Sequence, residues 1–263
     1  MIPYFALTYF TIGPFVIHVW GLLVALGFLL GTAACAWQAK KQGLNANIFW
    51  DLLIWVVIGS MLFGRLFHVI FYEPVYFLQN PIKILSVWEG GFSMMGGLVG
   101  ALFLGIWFLY FKRVKILSYL NIGFFGLPLG IGIGRIGCFL IHDHPGTPTD
   151  FILGVKYPDG IVRHDHGLYL SLEGFLLFFL FLWLQKKSIP QGTFLALFLI
   201  IDGITRFFLD FLRATDIDFA DVRYAGLTPA QYMSIFMIGI GGYFFFKWFK
   251  QNKRKNIHPF SSV

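Results

Sequence analysis

Charged residues and cysteines are both scarce in this sequence. Asp, Glu, Lys and Arg make up 13% of its 263 residues, whereas a soluble domain carries about a quarter. A water-soluble globular protein is therefore not indicated. The two cysteines, Cys35 and Cys138, both lie in apolar segments, so no disulfide framework is indicated either.

Long apolar segments occupy most of the chain. Hydrophobic residues make up 57% of the sequence, and phenylalanine alone occurs 33 times. Runs of about 20 apolar residues are long enough to cross a hydrocarbon core of about 30 Å as helices. The runs are continuous, which excludes the short alternating strands of a membrane barrel. We predict an all-α, polytopic integral membrane protein with about seven transmembrane helices. The predicted spans are Phe15–Trp37, Ile48–Phe71, Phe92–Phe111, Leu117–Leu140, Leu168–Leu184, Thr193–Arg213 and Gln231–Phe249.

The basic residues predict how these spans are oriented. Of the 20 lysines and arginines, twelve lie after the first, third and fifth spans and at the carboxyl end, and four lie in the alternate connections. Positive residues favour the cytoplasmic side, so we expect the amino terminus outside and the carboxyl terminus in the cytoplasm. The same clustering indicates membrane lipids, and no nucleic acid, as the partners of the net charge of +7. We predict one transmembrane helical domain over residues 1–263, with longer outer connections at 142–167 and 214–230.

Arginines inside the predicted spans are the first candidate site. Arg65, Arg135 and Arg206 fall in the outer parts of three different spans, and Arg213 falls at the outer interface. Arginine at this depth usually points into a protein interior or a wet cavity, and its planar donors suit phosphate oxygens. The alternative is that each arginine forms a structural ion pair. The sixth span supports that alternative, because its charges alternate at helical spacing: Asp202, Arg206, Asp210 and Arg213.

Arg135 stands apart because glycines surround it. No acidic residue lies within one helical turn before it, and the preceding run alternates glycine with apolar residues. The segment Gly134-Arg135-Ile136-Gly137-Cys138-Phe139, followed by Asp143 and Gly146, resembles the signature of the prolipoprotein diacylglyceryl transferase family. Further segments resemble the same family: Gly64-Arg65 with Phe71-Tyr72, Glu89 to Leu98, Leu168-Tyr169 with Glu173-Gly174, and Gly203 to Phe207 with Asp210 and Arg213.

The resemblance implies an activity in the bacterial cytoplasmic (inner) membrane. Members of the family transfer diacylglycerol from phosphatidylglycerol to the lipobox cysteine thiol of a preprolipoprotein peptide, and glycerol phosphate is released. No cofactor and no metal are expected. By matching positions, Arg135 and Arg206 would hold the lipid phosphate, with Asp143 as the third catalytic residue. The matching positions expected to bind substrate are Arg65, Tyr72, Gly96, Gly97, Gly134, Gly137, Gly146, Tyr169, Glu173 and Asp210.

The sequence departs from the family pattern where a base is needed. Met95 stands at a family histidine, Cys138 and Ile141 stand at family asparagines, and Asp143 replaces a glutamate. A thiol needs a base or a low pKa to become the attacking thiolate. Nearby groups that could serve are Asp143, His142, His144, His164, His166 and His68.

Two alternatives to the enzyme stay open from the sequence. One is a non-catalytic phospholipid-binding membrane protein derived from this family, which the Met95 substitution favours. The other is a transporter, for which Asp51 and Asp202, toward the inner side, are the supporting residues. No internal repeat is found, and this disfavours a transporter built from inverted halves.

Overall fold

The computed structural model describes residues 1–187, 189–217 and 221–257, with only the helical backbone given from residue 251 onward. In this part of the chain, six helices are long and apolar enough to cross a membrane. The prediction of a helical, polytopic membrane protein is confirmed. The helices are α1 (Val19–Lys41), α2 (Asn47–Phe71), α3 (Pro74–Gln79), α4 (Met94–Phe111), α5 (Ile116–Ile141), α6 (His166–Leu184), α7 (Thr193–Leu209) and α8 (Pro229–Ile257).

Helix α7 occupies the sixth predicted span but is shorter than the other long helices. It has 17 residues and continues into one turn of 3-10 helix, Asp210–Leu212. At a rise of 1.5 Å per residue, it covers about 26 Å. A seven-span count and the sides of the two termini remain predictions.

The first predicted span begins too early. Residues Phe15–His18 form strand β3, which pairs antiparallel with β2 (Tyr9–Ile12). Gly13, in the turn between them, has a φ of 59°, a conformation that glycine adopts at little cost. Aromatic and β-branched residues favour strands, so the apolar run from Phe15 pairs as a hairpin before helix α1 begins at Val19.

The chain forms two compact units. The smaller unit is Ala39–Tyr119, and the larger combines Met1–Gln38 with Leu120–Val263. In the smaller unit α2 packs on α4, where a Cβ on Gly59 would lie 2.8 Å from the carbonyl carbon of Gly100. Glycine is needed here because the two backbones are nearly in contact.

Helix α5 is the centre of the larger unit. A Cβ on Gly130 of α5 would lie 2.9 Å from the carbonyl oxygen of Gly27 in α1. On another face of α5, a Cβ on Gly174 of α6 would lie 2.7 Å from the backbone nitrogen of Gly132. The glycines of this segment therefore let α1 and α6 approach α5 closely.

An aromatic core fills the space between α5, α6 and α7. Phenylalanine rings from all three helices meet there at centroid distances of 5.1 and 5.2 Å. Buried aromatic pairs of this kind stabilise a fold beyond the area they bury. The buried members are Phe125, Leu177, Phe181, Phe194 and Phe198.

A small sheet forms within the predicted outer connection 142–167. It contains β1 (Ile2–Pro3), β4 (Pro145–Pro148), β5 (Val155–Lys156) and β6 (Val162–Asp165), in the order β1-β5-β6-β4. Strand β1 runs parallel to β5, and the other pairs are antiparallel. The sequence predicted only a connection here, without a sheet. β6 pairs with β5 on one edge and with β4 on the other, and β1 from the amino terminus extends the sheet beyond β5.

The α5–α6 crossing gives the first prediction. Gly174→Ala should lower the melting temperature of the purified protein, because the new Cβ must displace backbone, an overpacking cost of about 1–3 kcal/mol. Gly123→Ala in α5 is the matched control, since a Cβ there meets nothing within 4 Å. Thermal denaturation of both variants in one detergent checks this. Equal melting temperatures for the two variants would contradict the close crossing.

Candidate active site

The larger unit brings two arginines from different helices within range of each other's charge. Arg135 is in the carboxyl-terminal part of α5 and Arg206 in that of α7, and their charges interact. Nη1 of Arg135 lies 3.8 Å from Sγ of Cys138. Nε of Arg206 lies 3.6 Å from Oδ2 of Asp202. Like charges repel, so the pair requires counter-charges nearby.

Two acidic residues lie within range of the arginine charges. Asp202 is 6% exposed, and Glu173 of α6 accepts a hydrogen bond from Thr205. Each carboxylate interacts with both arginines. Oε1 of Glu173 is buried and has no hydrogen-bond partner in the described part of the chain, so it is open to a ligand hydroxyl. Asp202 and Thr205 were not among the predicted site residues, although both lie within one turn of Arg206 on α7.

The arginines differ in how fully carboxylates occupy them. Arg206 pairs with Asp202, and Arg213 pairs with Asp221 and, at 3.9 Å, with Asp210. Arg135 forms no carboxylate ion pair within residues 1–187, 189–217 and 221–257. Arg213 therefore fits the alternative that each arginine forms a structural ion pair, and Arg206 fits it in part. Arg135 fits it least. Of these three arginines, Arg135 is the one least occupied by carboxylates in the described part of the chain.

Asp143 lies on the same side of α5 as Arg135, just beyond the end of the helix. Its carboxylate interacts with the Arg135 charge and is bonded to the imidazole of His144. Between the helix and Asp143, His142 has a φ of 52°. This left-handed residue reverses the chain at the end of α5 and brings Asp143 back toward Arg135.

The other three histidines of this connection are bonded to scaffold groups. Nδ1 of His142 lies 2.7 Å from Asp165, with both side chains 1% exposed. Nδ1 of His164 lies 2.7 Å from the hydroxyl of Tyr169, and burial lowers the pKa of His164 below its usual value. Nε2 of His166 donates to the carbonyl oxygen of Leu209 at 2.9 Å.

An ion pair joins the two connections that the sequence analysis placed outside. Arg163 of β6 donates to both carboxylate oxygens of Asp216, at 2.9 and 2.7 Å. The pair raises the pKa of Arg163 and lowers the pKa of Asp216. Burial, followed by the charge of Asp165, raises the pKa of Tyr157. Asp218, another acidic residue of the second connection, lies outside the described residues.

Asp210 and Gly146 occupy a junction beside this pair. Asp210 accepts a hydrogen bond from the hydroxyl of Thr228. Gly146 forms an antiparallel bridge with Arg213, and a Cβ on Gly146 would lie 2.6 Å from the carbonyl oxygen of Leu212. These contacts give both residues a structural role. Their contact with substrate stays a prediction.

The signature glycines next to Arg135 face α1. A Cβ on Gly137 would lie 3.2 Å from Cα of Trp20, and one on Gly134 would lie 3.9 Å from Val24. The Trp20 side chain is also hydrogen-bonded to Cys138. Helix packing thus accounts for Gly137, and Gly134 has more room.

Comparison with known proteins shows the family. Residues 8–247 match the family model described as prolipoprotein diacylglyceryl transferase. The chain belongs to this family. The resemblance read from the motifs around Arg135 is confirmed.

The curated relatives in this family cover nearly the whole chain. A Bordetella parapertussis protein named phosphatidylglycerol–prolipoprotein diacylglyceryl transferase is 37% identical over 243 residues, which cover 89% of this chain and 92% of that protein. Proteins of the same name from Nitrosomonas europaea and Acinetobacter baumannii are 36% and 30% identical. They match 91% and 92% of this chain and 88% and 92% of their own lengths.

Arg65, in the smaller unit, has different partners from those predicted. Its side chain is buried and donates five hydrogen bonds, all to backbone carbonyl oxygens of residues 83–91, at 2.5–3.4 Å. A guanidinium has five N–H donors, so each donor has an acceptor within the protein. Arg65 therefore holds the segment that joins α3 to α4, and its predicted contact with substrate stays a prediction.

The remaining family positions of the smaller unit lie on α4 and at the end of α2. A Cβ on Gly97 would lie 3.5 Å from the carbonyl oxygen of Ser60, and one on Gly96 would meet the side chain of Phe67. These glycines pack α4 against α2. Tyr72 is 64% exposed, with its ring stacked on His68. Substrate contact by Tyr72, Gly96 and Gly97 stays a prediction.

The carbonyl cage around Arg65 gives the second prediction. Arg65→Lys keeps the charge but has three N–H donors in place of five, and each lost bond to a charged group costs about 1.5–3 kcal/mol. Amide hydrogen exchange in residues 80–91 should become about tenfold faster or more. Arg113→Lys, an exposed arginine after α4, is the control. Unchanged exchange in Arg65→Lys would show that the cage does not hold the segment.

Proposed function

We propose that this protein transfers the diacylglyceryl group of phosphatidylglycerol to the lipobox cysteine of a preprolipoprotein. It would do so as a multi-pass protein of the bacterial cytoplasmic membrane and would release glycerol phosphate. The observation that carries the proposal is the meeting of Arg135 and Arg206 from two helices, in a chain of this family. Its partners would be phosphatidylglycerol, the lipobox peptide and the surrounding membrane lipids.

The two arginines suit the leaving group. When the thiolate sulfur attacks the glyceryl carbon, the carbon–oxygen bond breaks and its electron pair stays on the phosphate oxygen. Fixed donors aimed at that developing charge lower the barrier, typically by about 3–4 kcal/mol for one donor. Arg135 and Arg206 would supply these donors. The phospholipid carries its own leaving group, so the reaction as proposed needs no cofactor.

Glu173 and Asp202 would act through the arginines and on the lipid head. Both carboxylates interact with both guanidinium groups, which holds two positive charges together before the lipid arrives. The buried, unpartnered Oε1 of Glu173 can accept a hydrogen bond from a glycerol hydroxyl of phosphatidylglycerol. Tyr169, held by His164, lies one helical turn before Glu173 on α6.

The alternatives are a phospholipid-binding protein without catalysis and a transporter. Met95, where the family has histidine, favours the first. The arginine pair does not separate it from the enzyme, because both functions need a phosphate site. The transporter hypothesis loses one of its two supporting residues, because Asp51 forms an ion pair with Lys112 at 3.5 Å.

The third prediction tests the enzyme directly. Purified protein is incubated with phosphatidylglycerol and a lipobox peptide, and the peptide is examined by mass spectrometry for the added diacylglyceryl mass. Arg135→Ala should reduce the transfer rate by about 10²–10³-fold, as removal of one charge-stabilising donor does. Arg113→Ala, outside the site, should leave the rate unchanged.

Three outcomes separate the alternatives in this assay. Transfer by the wild-type protein supports the enzyme. Binding of phosphatidylglycerol without any transfer would favour the non-catalytic lipid binder. Undiminished transfer by Arg135→Ala would overturn the phosphate-stabilising mechanism while leaving the enzyme in place.

A further inference from the structure

His144 differs from the other histidines of residues 142–167. His142, His164 and His166 are bonded to Asp165, Tyr169 and the Leu209 carbonyl. The side chains of His144 and Asp143 are 28% and 34% exposed. The imidazole of His144 is thus accessible to solvent. Within the described residues, its side-chain hydrogen-bond partner is the Asp143 carboxylate.

The backbone is held in a costly conformation to place this pair. His142 has a φ of 52°, a left-handed conformation that non-glycine residues adopt only at a cost. Its ring is held by Asp165 at 2.7 Å and is stacked on Tyr4 at 4.8 Å. Strain that the surroundings maintain is typical of functional sites. Here it returns the chain so that a carboxylate oxygen of Asp143, an imidazole nitrogen of His144 and Sγ of Cys138 all lie within 4.8 Å of one another.

This group adjoins the arginine pair. Sγ of Cys138 lies 3.8 Å from Nη1 of Arg135, and the Asp143 carboxylate interacts with the Arg135 charge. A phospholipid phosphate held by Arg135 would therefore lie near the imidazole of His144. A lipobox thiol attacking that phospholipid must come to the same place.

We infer that His144 accepts the proton of the lipobox thiol and that Asp143 positions its imidazole. This inference rests on the proposed function. The Asp143 carboxylate accepts the N–H at Nδ1, which leaves the lone pair at Nε2 for the proton. The thiol proton moves to Nε2 and the thiolate forms the C–S bond. The C–O bond to phosphate breaks, glycerol phosphate leaves with the electron pair, and the imidazolium then returns its proton to water.

A base is required because the free thiol ionises weakly. A cysteine thiol has a pKa of about 8.5, so only a few per cent is thiolate at neutral pH. Met95 stands where the family has histidine, and a thioether cannot accept a proton under these conditions. His144 supplies the missing function from within the segment that follows Arg135.

The test compares two substrates in the His144→Gln variant. One lipobox peptide carries cysteine, and the other carries selenocysteine, whose selenol is already ionised at neutral pH and needs no base. With the cysteine peptide, the rate should fall about 100-fold or more, as expected for loss of a general base. With the selenocysteine peptide, the variant should keep most of the wild-type rate, and binding of phosphatidylglycerol should be unchanged. His18→Gln, an exposed histidine of β3, should leave both rates unchanged.

Four outcomes would overturn the assignment. Equal losses with both peptides would show a structural role for His144, and no loss with either would show no role. Loss of wild-type transfer on chelation, with recovery on adding Zn²⁺, would show that Cys138, Asp143 and His144 act through a metal instead. A wild-type protein that binds phosphatidylglycerol but modifies neither peptide would overturn the proposed function, and the base with it.

Discussion

The repulsion between Arg135 and Arg206 is the constraint around which the site is built. Two guanidinium groups inside a helical membrane protein are costly, and they stay together because Glu173 and Asp202 interact with both. Asp202 also pairs directly with Arg206 at 3.6 Å, whereas Arg135 forms no carboxylate ion pair in the part of the chain that the structure describes. This difference is the basis for proposing that Arg135 meets the lipid phosphate.

Helix α5 brings this network together because its glycines allow close contacts. Gly130 adjoins α1, and Gly132 adjoins Gly174 of α6. With the helices this close, Arg135 on α5 and Glu173 on α6 can both reach the charges of α7. Side chains at those crossings would push the helices apart and separate the charges. The glycines therefore determine the electrostatics of the site through packing.

After α5 ends, hydrogen bonds and ion pairs hold the chain in place where helix packing no longer does. The connection is fixed by His142 on Asp165, by Arg163 on Asp216 and by the small sheet that includes the amino terminus. Three of its four histidines and Arg163 are bonded to scaffold groups. Asp143 and His144, which are partly exposed, gain a defined position from this fixation. A segment rich in histidine thus contains mainly scaffold, with its candidate chemistry in one turn.

Apolar run length and the motif around Arg135 were enough to predict the helical membrane fold and the family, because both depend on local composition and residue order. Run length could not place the first helix boundary, since an apolar run pairs as a strand when a turn such as that at Gly13 offers it a partner. Residue order marked both Arg65 and Arg135 as candidate site residues. Only the tertiary structure distinguished their surroundings, because every donor of Arg65 meets a carbonyl oxygen, whereas Arg135 forms no carboxylate ion pair within the described residues. Which polar side chains support the fold and which remain open to a ligand depends on partners distant in the chain, and those partners meet only after folding.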